Sequence, residues 1–433
     1  MGKRPKYLFV ISFDGLSSLD FEYIKKLPNF KDFLKEASYS KEVYSIYPSL
    51  TYPAHVTIVT GKYPKNHGVI NNTKLQINKD SPDWYWHRKN IKGETIYDLA
   101  IKKGMKVAAL LWPVTAKSKI QYNMPEIFPN RPWQNQLMVS AFNGSPYYQY
   151  KLNKLYGNLR KGIKQPYLDN FTHHSLLYTI KNVKADIFLV HYTDLDSQRH
   201  NYGFNSKEAK EALIRHDKRL GEIIKSLKEK NIYEDSAVIL LGDHSSLDED
   251  KVIYLNSLLK EKGYIDINKK GKISNFLAIA KSCGGSAYIY SQNKDKEMLE
   301  KLYQIFNDVN QEYNCFEYIY SRKEAEKLGA DLNCTFMLEA NKGYYFLDPI
   351  NDKLIKELTE DEIKEDSSFT RSTHGYSPYK ANYTTVFMAR GKGIKKGLVI
   401  DKMNLIDEGP TFAKLLGIEL KGADGRVIEE ILE

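Results

Sequence analysis

Cysteine is nearly absent from this chain: three residues in 433, Cys283, Cys315 and Cys334. The count is odd and no pair has a C-x-x-C spacing, which excludes a disulfide framework and a thiolate metal centre. The three read instead as small buried apolar side chains. Long apolar runs are also missing. No stretch approaches the ~20 residues that cross a bilayer. The run at Tyr7–Phe13, which follows a basic start, is short and ends in Asp14 without a small-residue cleavage site. A soluble, cytoplasmic protein is expected. Repeats, low-complexity tracts and a basic arm are absent too. The net charge is +10, but Lys and Arg are spread along the chain. That pattern describes a solvated surface able to attract anions rather than a nucleic-acid stripe.

What is present is ordinary for a globular chain, with 42% hydrophobic and 27% charged residues. The length fits one large α/β domain with insertions or two domains. Tyr7–Phe13 is almost continuously apolar, the pattern of a strand buried on both faces of a parallel sheet. Similar runs recur at 106–111, 186–192, 237–241 and 384–389. Helical patterns lie between them at 94–103 and 206–230. Strands alternating with helices predict a mostly parallel sheet with helices on both faces, a three-layer α/β/α sandwich. Residues 247–370 are Lys- and Tyr-rich, with short strand-like pieces at 286–290 and 344–347. They read as an inserted subdomain or lid within a core of residues 1–246 and 371–433.

Ligands of such sheets bind beyond the carboxyl ends of the strands, and those ends are acidic and imidazole-rich here. Asp14 follows the first run. Asp196 and His200, four residues apart and so on one helical face, follow the third. Asp243 and His244 follow the fourth, and His374 lies in S-T-H-G-Y, where Gly375 permits close backbone approach. These six oxygen and nitrogen donors suit two divalent ions of the zinc type. A pair of ions ~4 Å apart clamps the attacking and leaving oxygens of a phosphoryl displacement.

Thr51 is a further oxygen donor, in Y-P-S-L-T-Y-P-A-H-V-T-I-V-T-G. Pro53 suits a first helical turn, which puts Thr51 at a helix N-terminus that favours an anion. On this stretch alone, Thr51 as a simple N-cap remains open.

Read together, V-I-S-F-D-G at 10–15, P-S-L-T-Y-P-A-H at 48–55, V-T-G-K-Y-P-K-N-H-G-V-I-N-N at 59–72, L-W-P at 111–113, D-S-Q-R-H-N-Y-G at 196–203, G-D-H at 242–244 and T-H-G-Y at 373–376 resemble the nucleotide pyrophosphatase/phosphodiesterase family of the alkaline phosphatase superfamily. The resemblance implies an alkaline-phosphatase-like fold. It makes Thr51 the nucleophile, with Asp14, Asp243 and His244 on the metal that activates it and Asp196, His200 and His374 on a second metal. It further implies that Asn72 donates to a phosphoryl oxygen and that a phosphothreonine forms and is hydrolysed.

Tyr52 stands where the family usually has phenylalanine, which keeps an aromatic platform for a base or serves equally as packing. Ala54 and Ser245 stand where asparagine and glycine are usual, and these changes bear on the substrate rather than on the ligands. His67 reads as structural, and His173 and His174 as a surface loop.

The expected partner is a small phosphodiester or nucleotide, with neither a membrane nor a nucleic-acid polymer expected. Three alternatives remain at this point: a phosphomonoesterase, a phosphonate hydrolase, and a binding protein on a relic of the fold. A sulfatase is disfavoured, because Thr51 replaces the cysteine of a C-x-P-x-R context.

Overall fold

The run Tyr7–Phe13 forms strand β1, whose alternate side chains enter two different cores. Leu8 and Val10 face one way and Phe9, Ile11 and Phe13 the other, as the two-residue period of a strand dictates. The computed structural model describes residues 4–77, 79 and 81–433. The other strands of the main sheet are β2 (Ser38–Tyr44), β3 (Val107–Leu110), β4 (Tyr122–Met124), β5 (Ile187–Tyr192), β6 (Ser236–Leu241), β7 (Thr385–Gly391) and β8 (Met403–Asn404). Their order is β8-β2-β7-β6-β1-β5-β3-β4. Every neighbour pair is parallel except those of β7, which runs antiparallel to β6 and β2.

Helices cover both faces. On one side α1 (Thr51–Thr60), α2 (Ile96–Lys102) and a C-terminal helix (Glu408–Leu415) bury Ala54, Ile58, Ile96, Tyr97 and Phe412. On the other, α3 (Tyr167–Asn182) and α5 (Lys207–Glu229) bury Leu176, Ile180, Leu213, Leu220 and Leu227. Helix α5 begins where the Ser206 hydroxyl accepts the Ala209 N–H at 3.1 Å. A shorter helix, α4 (Asp194–Tyr202), leaves the end of β5.

The five strands expected from apolar runs are all present, and the three edge-side strands β2, β4 and β8 are additional. Strand β2 reads S-Y-S-K-E-V-Y with alternating burial, and β4 and β8 are only three and two residues long. Such pieces carry no apolar run, and pairing with the sheet rather than local propensity makes them strands. His173 and His174 require a correction. They lie on α3, not in a loop, and His173 is buried between the Tyr192 hydroxyl (2.9 Å) and Glu222 (2.7 Å).

Residues 247–370 build sheets of their own. Ala278–Ser282, Ser286–Ser291, Phe336–Ala340 and Phe316–Ser321 form an antiparallel four-stranded sheet in that order, backed by a helix at Lys296–Tyr313. Phe306, Ile289 and Leu338 lie in their core. The three cysteines are free and buried. No helix among the described residues is long and apolar enough to cross a membrane.

Candidate active site

The candidate side chains converge at one edge of the main sheet because all but His374 follow a strand end there, and His374 precedes the antiparallel β7. Asp14 leaves β1, α4 carries Asp196 and His200 away from β5, and Asp243-His244 leaves β6. Helix α1, after β2, brings Thr51. Gly15, with φ +73°, turns the chain after Asp14 and gives its N–H to Asp243 Oδ1 at 3.0 Å. Arg199 ties α4 to this turn, donating to the Gly15 carbonyl and to Asp20 at 2.7 Å. Gly375, beside His374, has φ +93°, and a Cβ there would stand 1.6 Å from the Cys283 carbonyl oxygen. Glycine is therefore the residue that lets the His374 loop lie against the 247–370 segment.

Thr51 is the first helical residue rather than the cap. Leu50 occupies the N-cap with no side-chain bond, so the Thr51 hydroxyl is not engaged in capping. Its Oγ1 lies 3.1 Å from His244 Nε2. That nitrogen is also 3.3 Å from Asp14 Oδ1 and 3.2 Å from Asp243 Oδ2. His200 Nε2 is 3.2 Å from Asp196 Oδ2, and His374 Nε2 is 4.0 Å from Asp196 Oδ1. The His244 and His374 rings stack with centroids 4.0 Å apart.

Two features fit this set to cations. First, each of the three histidines turns Nδ1 to a backbone carbonyl: His244 to Ser245 (3.2 Å), His200 to Ser372 (2.7 Å) and His374 to Ser49 (3.2 Å). A carbonyl only accepts, so Nδ1 carries the proton and Nε2 presents its lone pair inward, the usual arrangement of metal-binding histidines. Second, Asp14 Oδ1, Asp196 Oδ1 and Asp243 Oδ2 are buried without a hydrogen-bond partner, a costly state unless something positive meets them. Ligand-type atoms within 4.8 Å of one another fall into two groups, Asp14-Asp243-His244 and Asp196-His244-His374. His244 belongs to both, and His200 adjoins the second through Asp196.

Charge crowding shows in the acidities. Burial, then Asp243 and Asp196, hold the Asp14 carboxyl well above its usual range. Burial lifts Asp243 to about 6 and lowers His244 to about 4 and His374 to about 3. At Asp196 burial acts upward, but His200 and the other imidazoles outweigh it and hold the carboxyl low.

Three neighbours, His191, Glu126 and His55, were not picked out from the sequence. His191 on β5 stands with Nε2 3.1 Å from Asp14 Oδ2 and Nδ1 2.9 Å from Glu126 Oε2. Burial lowers its basicity, but Asp14 and Glu126 together raise it well above the ordinary value. His55, four residues along α1, bonds the Thr51 carbonyl at 2.8 Å and the Ser12 hydroxyl at 2.9 Å. Both of its nitrogens are occupied, which sets it apart from the ligand-type histidines. His67 is buried as well, between the Thr57 hydroxyl and the Val69 N–H, both at 3.1 Å.

Asn72 Oδ1 accepts the Tyr52 N–H at 2.9 Å, which leaves the Asn72 amide N–H groups as donors next to Thr51. Tyr52 is fully buried, its hydroxyl 3.2 Å from Glu126 and its ring edge-on to Trp84 at 5.1 Å.

Residues 8–377 match the family described as type I phosphodiesterase / nucleotide pyrophosphatase. The chain belongs to that family. Ectonucleotide pyrophosphatase/phosphodiesterase family member 3 of Bos taurus is 29% identical over 269 residues, covering 58% of this chain and 26% of the relative. Family member 1 of Homo sapiens is 29% identical over 272 residues, covering 59% and 25%. The chain thus spans about a quarter of the length of these curated relatives. Bis(5'-adenosyl)-triphosphatase ENPP4 of Bos taurus is 22% identical over 96% of this chain and 79% of its own length.

Among solved structures, human ectonucleotide pyrophosphatase / phosphodiesterase 5 has a TM-score of 0.68 at 20% identity, over 99% of this chain and 100% of that one. The inactive murine form of the same protein, in complex with AMP, has a TM-score of 0.67 at 19% identity over the same shares. The fold is therefore that of the family, alkaline-phosphatase-like, and the family is hydrolytic.

Proposed function

We propose that this chain hydrolyses phosphodiester or pyrophosphate bonds in nucleotide-like substrates, with Thr51 as nucleophile. The observation that carries the reading is the uncapped Thr51 hydroxyl 3.1 Å from His244 Nε2, beside three buried carboxylate oxygens that lack partners. Asp14, Thr51, Asp243 and His244 would hold one divalent ion and Asp196, His200 and His374 a second, zinc in type from the mixed oxygen and nitrogen donors. Bound there, two such ions supply positive charge to the attacking and leaving oxygens.

The rest of the reaction falls to the chain. Thr51 Oγ1 attacks phosphorus, the Oγ–P bond forms as the bond to the leaving oxygen breaks, and water hydrolyses the phosphothreonine. The Thr51 N–H at the start of α1 and the Asn72 amide meet the charge on the non-bridging oxygens, since Pro53 has no N–H and the Tyr52 and Ala54 N–H groups are bonded to Asn72 and to the Leu50 carbonyl. Asn72 is held for this by the Tyr52 N–H. Because Tyr52 is buried, its contribution to a base site runs through Trp84, which its ring supports.

The nucleotide preference is supported by the relatives: one is a bis(5'-adenosyl)-triphosphatase and another was solved with AMP. The 247–370 segment is proposed as an insert flanking the site, since Asn71 bonds the Ser282 carbonyl at 2.9 Å and Tyr47 bonds Glu339 at 2.8 Å. The cytoplasmic location expected from the short apolar run at Tyr7–Phe13 finds no support among the relatives, of which several carry "ecto" in their names.

The test is a side-by-side assay of zinc-loaded protein on a p-nitrophenyl nucleotide diester and on p-nitrophenyl phosphate, each with Thr51→Ala. Diester preference lost in the variant is the expected result. Monoester preference moves the chain toward phosphomonoesterases, and an unchanged rate in Thr51→Ala removes the nucleophile.

A further inference from the structure

Between Glu126 and Asp169 the chain has no acidic residue and six basic ones, Arg131, Lys151, Lys154, Arg160, Lys161 and Lys164. Two short helices, Gln136–Asn143 and Pro146–Tyr156, pack together in this segment. Among the described residues, eight of the twenty large apolar side chains that stand exposed lie within 133–163. Phe142, Tyr147 and Trp133 are 73%, 80% and 77% exposed, values at which a folded chain gains nothing from such side chains unless something covers them.

The two helices divide their residues by face. Val139, Tyr148 and Leu152 turn inward and are buried, and Val139 joins the cluster that contains Tyr52 and Trp86. Met138 and Phe142, four apart, and Tyr147 and Tyr150, three apart, turn outward. Ile163 stands 65% exposed in the sequence Lys161-Gly162-Ile163-Lys164, an apolar tip between two cations. Arg131 is paired with Asp83. Among the described residues, the other five cations form no ion pair.

We propose that this helical pair is a peripheral docking face for an anionic lipid surface. Aromatic and aliphatic side chains flanked by lysines are what the boundary between headgroups and acyl chains accommodates, and unpaired lysines gain from anionic headgroups. A second copy of this chain fits poorly, because an isologous contact would set the five unpaired cations against their own images. A single-stranded nucleic acid would use the aromatic rings for stacking but gains nothing from Leu137, Met138 and Ile163. The contact is peripheral, in keeping with the absence of a membrane-spanning helix among the described residues. It amends the expectation of no membrane partner. Through Val139 the face adjoins the aromatic cluster around Tyr52, so docking would leave the bound surface beside the proposed active site.

The test is co-sedimentation of the full chain with phosphatidylcholine vesicles, with and without phosphatidylglycerol, at low and high salt. Two double variants accompany it, Phe142→Ser with Tyr147→Ser and Lys161→Gln with Lys164→Gln. All are exposed positions outside the proposed catalytic set, so hydrolysis of a soluble diester reports that each variant is folded. The expected result is binding that requires phosphatidylglycerol, weakens with salt and falls roughly tenfold or more in each variant at unchanged soluble activity. Equal binding with and without phosphatidylglycerol, no binding to either, or full binding by both folded variants overturns the proposal. So does self-association or oligonucleotide binding that alone responds to these substitutions.

Discussion

His191 Nε2 lies 3.1 Å from Asp14 Oδ2 although the two residues are 177 positions apart. Neighbouring parallel strands bring them together, since Ser12 of β1 is in register with His191 of β5. The other His191 nitrogen holds Glu126 at 2.9 Å, and Glu126 also accepts from Tyr52 at 3.2 Å. A chain of hydrogen bonds therefore runs from the residue after Thr51 to the Asp14 carboxylate. It fixes one Asp14 oxygen and leaves Oδ1 free.

Partners of this kind orient ligands, and their loss typically costs 10- to 100-fold in metal affinity or activity. His191→Phe, which fills the space without the bonds, is expected to weaken zinc binding by about that factor. Zinc titration followed by the competing chelator's absorbance checks this. Unchanged affinity in His191→Phe would remove the positioning role.

Asn72 is expected to act through its amide donor. Asn72→Ala should lower kcat for a diester by about 10²- to 10³-fold, the usual effect of removing a donor to a developing oxyanion. Asn72→Asp keeps an acceptor for the Tyr52 N–H but removes the donor and adds negative charge. Steady-state kinetics of both variants decide the matter: equal loss supports the donor role, and recovery in Asn72→Asp would reduce Asn72 to a cap on α1.

Acid should destabilise the fold partly through His67. Burial lowers its pKa to about 3 in the folded chain, against ~6.5 when unfolded. Between those values the unfolded chain binds the additional proton, so stability present above pH ~6.5 is lost as the pH falls. At pH ~5 the difference amounts to about 2 kcal/mol. Urea denaturation of the wild type and of His67→Gln at pH ~7 and ~5 should show a shallower pH dependence in the variant. Parallel curves would contradict the assignment.

Gly375→Ala is expected to cost on the order of 2–4 kcal/mol, because its Cβ meets the Cys283 carbonyl and its φ is positive. Displacement of His374 should follow, lowering zinc content as well as melting temperature. A variant with normal stability and full zinc would contradict the close approach.

Much of this site could be read from the sequence because its parts are local. Asp196 and His200 share a helical face, Asp243 and His244 adjoin a strand end, and the apolar runs before them identify β1, β5 and β6. Residues that work through distant partners were not legible. His191 is a lone histidine in an apolar strand, and only the sheet register sets it against Asp14. For Tyr52 a base platform and a packing role are equally open in the sequence, and nothing local announces that Trp84 and Glu126 enclose it. His173 gave no sign of the Tyr192 and Glu222 groups that bury it. The helical pair at 136–156 lies in a stretch whose lack of acidic residues is visible in the sequence, but only exposure shows which of its apolar side chains face outward.

In the proposed reaction Thr51 becomes covalently attached to phosphorus during turnover. Acid quenching of zinc-loaded protein mixed with a nucleotide diester, followed by mass spectrometry of the peptide around Thr51, tests it directly. The expected result is a nucleotidyl group on Thr51 that appears before steady state and is absent from Thr51→Ala. Rapid hydrolysis with no adduct, or an adduct on another residue, would contradict it.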